Sequence, residues 1–148
     1  MNLLNEMNLS FAAKSINESF ARSAVSAFVM SLDPTVSEIS DIKTAVSEAV
    51  TNSIVHGYKE TSGNVYINVK IKQGTKVVIR IRDKGCGIAD IKKAMEPLYT
   101  TGGDDRAGLG FTVMQSFMDR VTVRSKENKG TVVTMEKSII PRGKNDRT

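Results

Sequence analysis

In SEAVTNSIVHG, residues 47–57, Glu48 and Asn52 stand one helical turn apart. A glutamate in such a place supplies an acceptor that can position a hydroxyl or take its proton. The asparagine supplies a neutral carboxamide oxygen, a hard ligand suited to Mg²⁺. A second group follows in DKGCGI. Asp83 there can offer a carboxylate to the exocyclic amino group of adenine, and Gly85 and Gly87 let backbone approach a flat base. A third lies in TTGGDDRAGLG, residues 100–110, a glycine-rich run into the start of a helix. Free N–H groups and the dipole at a helix start favour anions, and Arg106 could answer charge building on a transferred phosphoryl group. Taken singly, each group has an ordinary explanation: a surface glutamate beside a solvated asparagine, an aspartate turn, a capped loop. Taken in order they describe a nucleotide site, with metal ligand and base first, then a purine reader, then a phosphate lid. It is not a dinucleotide fold, since Asp90 stands where GCGIAD would need a third glycine, and no GxxxxGK[ST] loop is present.

The elements that must carry these groups follow from periodicity. MNLSFAA, residues 7–13, reads as an edge strand. Asn17 is expected to cap a helix in which Phe20, Ala24, Phe28 and Leu32 recur every four residues, and Asp33-Pro34 ends it. A second helix is expected from near Thr35 to about His56, with Val36, Ile39, Ile42, Val46, Ala49 and Val50 as its apolar stripe and Gly57 as its stop. Glu48 and Asn52 fall on the flank of that stripe. The alternating runs 65–71 and 77–83 form a hairpin about Gln73-Gly74. A short helical piece near residues 91–95 precedes the glycine-rich loop. Residues 109–118 read as a further helix, and VTVRS and TVVTMEK as a last hairpin. Strands in adjacent hairpins, with helices between them, imply an α/β two-layer sandwich: a mixed, mostly antiparallel sheet with helices on one face.

Composition bounds the setting. The 148 residues suit one domain, expected over 1–137, followed by a basic, disordered tail over 138–148. Only 5% of residues are aromatic, so the core must be mainly aliphatic. Cys86 is the one cysteine, which rules out an internal disulfide and favours a reducing cytoplasm. No secretion leader and no membrane span are read from the chain. The net charge of +5 raises the question of nucleic acid, but the tail supplies two of the five charges and no basic stripe with interleaved aromatics appears. No direct nucleic-acid partner is therefore expected, and a gel shift at low salt tests the alternative.

With these groups together, the chain resembles the GHKL superfamily of ATPases and kinases. SEAVTNSIVHG looks like its N box, RDKGCGI its first glycine box, RAGLGF its second, and NKGT at 128–131 its last glycine motif. NESFAR, HGY and PLYTT narrow the likeness to small bacterial anti-sigma factor kinases. The resemblance implies a Bergerat-type ATP-binding fold, ATP/ADP and Mg²⁺ as ligands, a sigma factor as partner, phosphorylation of a serine on an anti-anti-sigma factor, and a homodimer. It gives Glu48 the base-like role, Asn52 the Mg²⁺, Asp83 the adenine amino group and Arg106 the γ-phosphate. It gives nucleotide contacts to Gly85, Gly87, Thr100, Thr101, Gly108, Leu109, Gly110 and Thr131, and contact with the sigma partner to Arg22. The glycine-rich GGDD before Arg106 departs from the group's usual pattern. A binding module that holds nucleotide only as a structural ligand, while it sequesters a transcription factor, is the competing reading.

Overall fold

The computed structural model describes residues 2–59, 61–91 and 110–141. In chain order these form β1 (Leu3–Ala12), α1 (Ile16–Val29), a 3₁₀ turn (Met30–Leu32), α2 (Val36–Thr51), a π turn (Asn52–Gly57), β2 (Asn64–Lys72), β3 (Lys76–Asp83), α3 (Phe111–Phe117), β4 (Arg120–Lys126) and β5 (Gly130–Ser138). The five strands make one sheet in the order β1-β2-β3-β5-β4, and every neighbouring pair is antiparallel. Alternation places Val65, Ile67 and Val69 of β2, Ile79 and Ile81 of β3, and Met135 of β5 on one buried face. Val25 and Val29 of α1, Val46 and Val50 of α2, and Met114 of α3 cover that face in a single apolar cluster. The expected two-layer α/β sandwich is the observed one. The expected helical piece near 91–95 lies outside the described residues after Ile91.

The first helix starts differently from the expectation. Ser15 occupies the cap position without a side-chain bond. Asn17 sits inside the helix, and its Nδ2 donates instead to Ala12 O at 2.9 Å, tying the helix back to β1. An asparagine that can reach a strand carbonyl has a partner outside the helix, which local spacing does not reveal. The stop is as expected: Asp33 turns left-handed at φ 53°, just before Pro34.

The start of α2 is closed by a reciprocal cap. Thr35 Oγ1 accepts the Glu38 N–H at 3.0 Å, and Glu38 Oε1 accepts the Thr35 N–H at 2.8 Å. The other oxygen, Oε2, accepts the Ile140 N–H at 2.9 Å. Ile139 is buried, and its N–H donates to Thr75 O at 3.0 Å, so the core runs past residue 137. Burial pushes the Glu38 carboxyl up, but the N–H bonds from Ile140 and Thr35, the Thr35 hydroxyl and the Lys137 charge together hold it below its ordinary value. Such a group adds stability above the ordinary glutamate range and loses it as pH falls through its lowered value. Glu38→Ala should lower stability by about 1 kcal/mol at neutral pH. A urea midpoint equal to wild type at pH 7 would show that the cap holds nothing.

Candidate functional site

The second helix does not run to His56 as an α-helix. The Asn52 N–H still reaches back to Glu48 O and Ala49 O, but beyond it the backbone widens. The Tyr58 N–H closes a five-residue step on Ser53 O at 3.0 Å. Such π turns insert an extra residue into a helix and often occur at working sites. Here the turn buries Asn52 and Ser53 against the end of β3.

Asp83 is the last residue of β3 and points to the helical side, 5% exposed. Burial pushes its carboxyl above the ordinary aspartate value. The Gly85 N–H, on Oδ1 at 3.0 Å, the Ser53 hydroxyl and the Thr131 N–H offset part of that rise. Gly57 passes so close that a Cβ on it would stand 3.0 Å from the carboxylate atoms. Asn52, Asp83, Gly87 and Thr131 line one cleft, with Ile88 and Phe111 as its apolar wall. A carboxylate acceptor beside a flat apolar surface suits a purine with an amino edge.

Thr131 stands opposite Asp83 in the β3–β5 register. Its Oγ1 lies 2.8 Å from Ser125 Oγ, which donates to Gly130 O at 3.0 Å and accepts the Ile88 N–H at 2.7 Å. With the Ser125 proton committed to Gly130, the Thr131 hydroxyl is the donor in that pair. Its oxygen then keeps both lone pairs as acceptors. Ser125 and Ser53 were not singled out from the sequence, because their partners lie on other elements.

Gly85 and Gly87 were expected to bring backbone to a base. The space where their side chains would stand is filled by protein. A Cβ on Gly85 would meet Gly57 O at 2.0 Å, and one on Gly87 would meet Lys126 O at 2.2 Å. The Cys86 N–H donates to Gly57 O at 2.8 Å, and the Asn128 N–H to Cys86 O at 2.6 Å. The glycines thus let the turn after β3 close between the π turn and the β4–β5 hairpin. Gly85 lies on the far side of that turn, while Gly87 lines the cleft.

Glu48 lies one turn before Asn52 and is half-buried. Burial alone pushes its carboxyl above the ordinary glutamate value. Its Oε2 rests against Gly110, where a Cβ would stand 2.1 Å away. Gly110 precedes α3 with φ 67°, a conformation that favours glycine, so both its shape and its lack of a side chain make room for the carboxylate. Arg22 stands apart on α1. It pairs with Glu18 at 3.7 Å, and Glu18 accepts the Ser47 hydroxyl at 2.8 Å, next to Glu48 in the chain. Thr100, Thr101, Arg106, Gly108 and Leu109 lie outside the described residues.

The donor set fits a magnesium ion of a particular kind. Among the described residues there is no group of three or more His, Cys, Asp or Glu side chains that could cage a metal. Among the described residues the buried Asn52 Oδ1 accepts no hydrogen bond, and the residue is held in the fold by its other contacts. One protein oxygen completed by phosphate oxygens and water is how Mg²⁺ commonly binds beside a nucleotide. Among the described residues no helix is long and apolar enough to cross a membrane.

Comparison with known proteins identifies the family. Residues 11–137 match the histidine kinase-like ATPase domain model. The chain is 58% identical over 137 residues to an anti-sigma F factor of Clostridium botulinum (strain Eklund 17B / Type B), covering 91% of this chain and 95% of that protein. It is 56% identical over 140 residues to an anti-sigma F factor of Thermoanaerobacter sp. (strain X514), covering 94% and 97%. Among solved structures, the RsbU and RsbW domains of Rv1364c from Mycobacterium tuberculosis superpose with a TM-score of 0.67 at 15% identity, over 94% of this chain and 34% of that one. The catalytic domain of histidine kinase ThkA does so with a TM-score of 0.58 at 14% identity, over 92% and 97%. These two likenesses show a shared fold. The chain belongs to the histidine kinase-like ATPase domain family, on the branch of the anti-sigma F factors.

Proposed function

We propose that the chain is an anti-sigma factor of the sigma F type that is also a serine protein kinase. In this reading it sequesters a sporulation sigma factor in the cytoplasm and uses ATP with Mg²⁺ to phosphorylate a serine of an anti-anti-sigma partner. The observation that carries the reading is 54–58% identity, over more than nine-tenths of the chain, to proteins named for that role.

The cleft supports the chemistry. Asp83 accepts from the purine amino group, with Thr131 beside it on the adenine side. Asn52 holds the metal, and bound Mg²⁺ supplies charge compensation for the phosphates. Glu48 orients the attacking serine hydroxyl and accepts its proton, a task helped by a carboxyl whose affinity for protons is raised by burial. Arg106 answers the charge on the transferred phosphoryl group, and Thr100, Thr101, Gly108, Leu109 and Gly110 belong to the lid over it. The protein thus supplies positioning and charge, which is what phosphoryl transfer asks of it. Arg22 on α1 contacts the sigma factor, and the working unit is a homodimer.

Mass spectrometry after incubation with ATP, Mg²⁺ and the candidate anti-anti-sigma protein tests the reading. A phosphoserine on the partner is expected. An unmodified partner, with nucleotide still bound and the sigma factor still captured, would favour a sequestering module without kinase activity. Asn52→Ala is expected to weaken ATP binding about tenfold when Mg²⁺ is present. In EDTA the variant and the wild type should bind alike, so equal binding in Mg²⁺ would remove Asn52 as the ligand.

A further inference from the structure

Tyr58, the tyrosine of HGY, is 6% exposed, and its hydroxyl makes two bonds. It accepts the Lys84 N–H at 2.7 Å and donates to Asn64 O at 2.6 Å. The register shows what this does. β2 and β3 pair as far as Tyr66 opposite Arg82. Continued by two residues, the ladder would set Asn64 opposite Lys84. There the ladder stops, and the Tyr58 hydroxyl stands between the two backbones as a spacer. Meanwhile β2 remains paired to β1 through Asn64, and β3 to β5 through Asp83. The two strands therefore part beyond Arg82, while each keeps its other neighbour.

The wedge is itself held in place. A Cβ on Gly63 would stand 2.2 Å from the ring, so only glycine fits behind it. The Tyr58 N–H belongs to the π turn, and the Thr61 N–H donates to Tyr58 O at 3.0 Å. On the outer face of the sheet, Lys84 Nζ lies 5.1 Å from the Tyr66 ring centroid, which fixes the same residue from the other side.

We propose that Tyr58 is a positioning residue for purine recognition: its hydroxyl, wedged between Asn64 and Lys84, fixes the end of β3 so that Asp83 faces the cleft. One residue then links the helix end that carries Asn52 to the strand end that carries Asp83. This rests on the nucleotide reading of the cleft, and the experiment separates the two.

Tyr58→Phe keeps the ring and removes the hydroxyl. Losing both bonds should raise the KM for ATP about tenfold and cut the preference for ATP over GTP by a similar factor. At saturating ATP, kcat should change by less than about twofold, since the reacting atoms keep their places. Amide exchange at Lys84, followed by NMR, should become at least about tenfold faster in the folded variant. Asp83→Asn is measured alongside. If Asp83→Asn loses the ATP preference while Tyr58→Phe keeps wild-type KM, preference and exchange, the wedge is wrong and the cleft reading stands. A wild type that does not prefer ATP, or an Asp83→Asn that prefers it equally, overturns the cleft reading and the wedge with it. If Tyr58→Phe fails to fold, Gly63→Ala serves, because it keeps the hydroxyl but forces the ring to move. A folded Gly63→Ala with wild-type preference also sinks the proposal.

Discussion

Replacing Glu48 by glutamine is expected to slow phosphoryl transfer by roughly 10²- to 10⁴-fold. Glutamine has nearly the same shape, so it keeps the contact with Gly110 and the turn that leads to Asn52. It cannot accept a proton from a serine hydroxyl. ATP affinity should stay within about threefold of wild type, because the purine and metal contacts lie elsewhere. The pH dependence gives a second signature. Burial raises the Glu48 carboxyl, and the proposed base role requires the carboxylate. Single-turnover rates in the wild type should fall on acidification at a pH above the ordinary glutamate range, and the glutamine variant should lack that limb. For stability the sign is opposite: a raised carboxyl favours the fold at pH below its ordinary value, and that contribution is lost as pH rises through the raised value. Transfer by Glu48→Gln at the wild-type rate would strip Glu48 of its role.

Gly85→Ala should cost about 3 kcal/mol of stability. The added methyl would lie 2.0 Å from Gly57 O, 2.4 Å from its carbonyl carbon and 2.9 Å from its Cα. All three are backbone atoms, so no side chain can swing aside. Both segments are also fixed, one by the Cys86 N–H on Gly57 O and the other by the Lys84 N–H on Tyr58 Oη. The clash must part the π turn from the end of β3, and these carry Asn52 and Asp83. Loss of ATP binding should therefore accompany the drop in the denaturation midpoint. A variant with an unchanged midpoint and normal binding would mean that the two turns do not meet here.

Much of the frame was legible in the residues. The alternation in β2 and β3 and the apolar stripe of α2 from Ile39 to Val50 are local signals, and each formed what it implied; Val36, expected at the head of that stripe, is exposed instead. Asp83 was legible as a strand-end carboxylate because β3 stops at a glycine turn. The rest depends on partners far away in the chain. Spacing alone extends α2 to His56, since a π turn forms only where Ser53, Tyr58 and the end of β3 meet. Asn17 left its expected cap for a carbonyl on β1. Two other segments of protein fill the space beside the glycines after Asp83, a close packing that spacing does not show. Ser125 carries no motif, and its importance appears only when Ile88, Gly130 and Thr131 converge on one hydroxyl.

The strand order carries a consequence for synthesis. β3 ends at Asp83 and lies at the centre of the sheet, yet one of its two partners, β5, is the last of the described strands to be translated. On the ribosome the half-built sheet therefore presents an open hydrogen-bonding edge along β3, flanked by bare valine and isoleucine. Until the final hairpin arrives, the nascent chain can neither set Thr131 opposite Asp83 nor shield that edge from its neighbours.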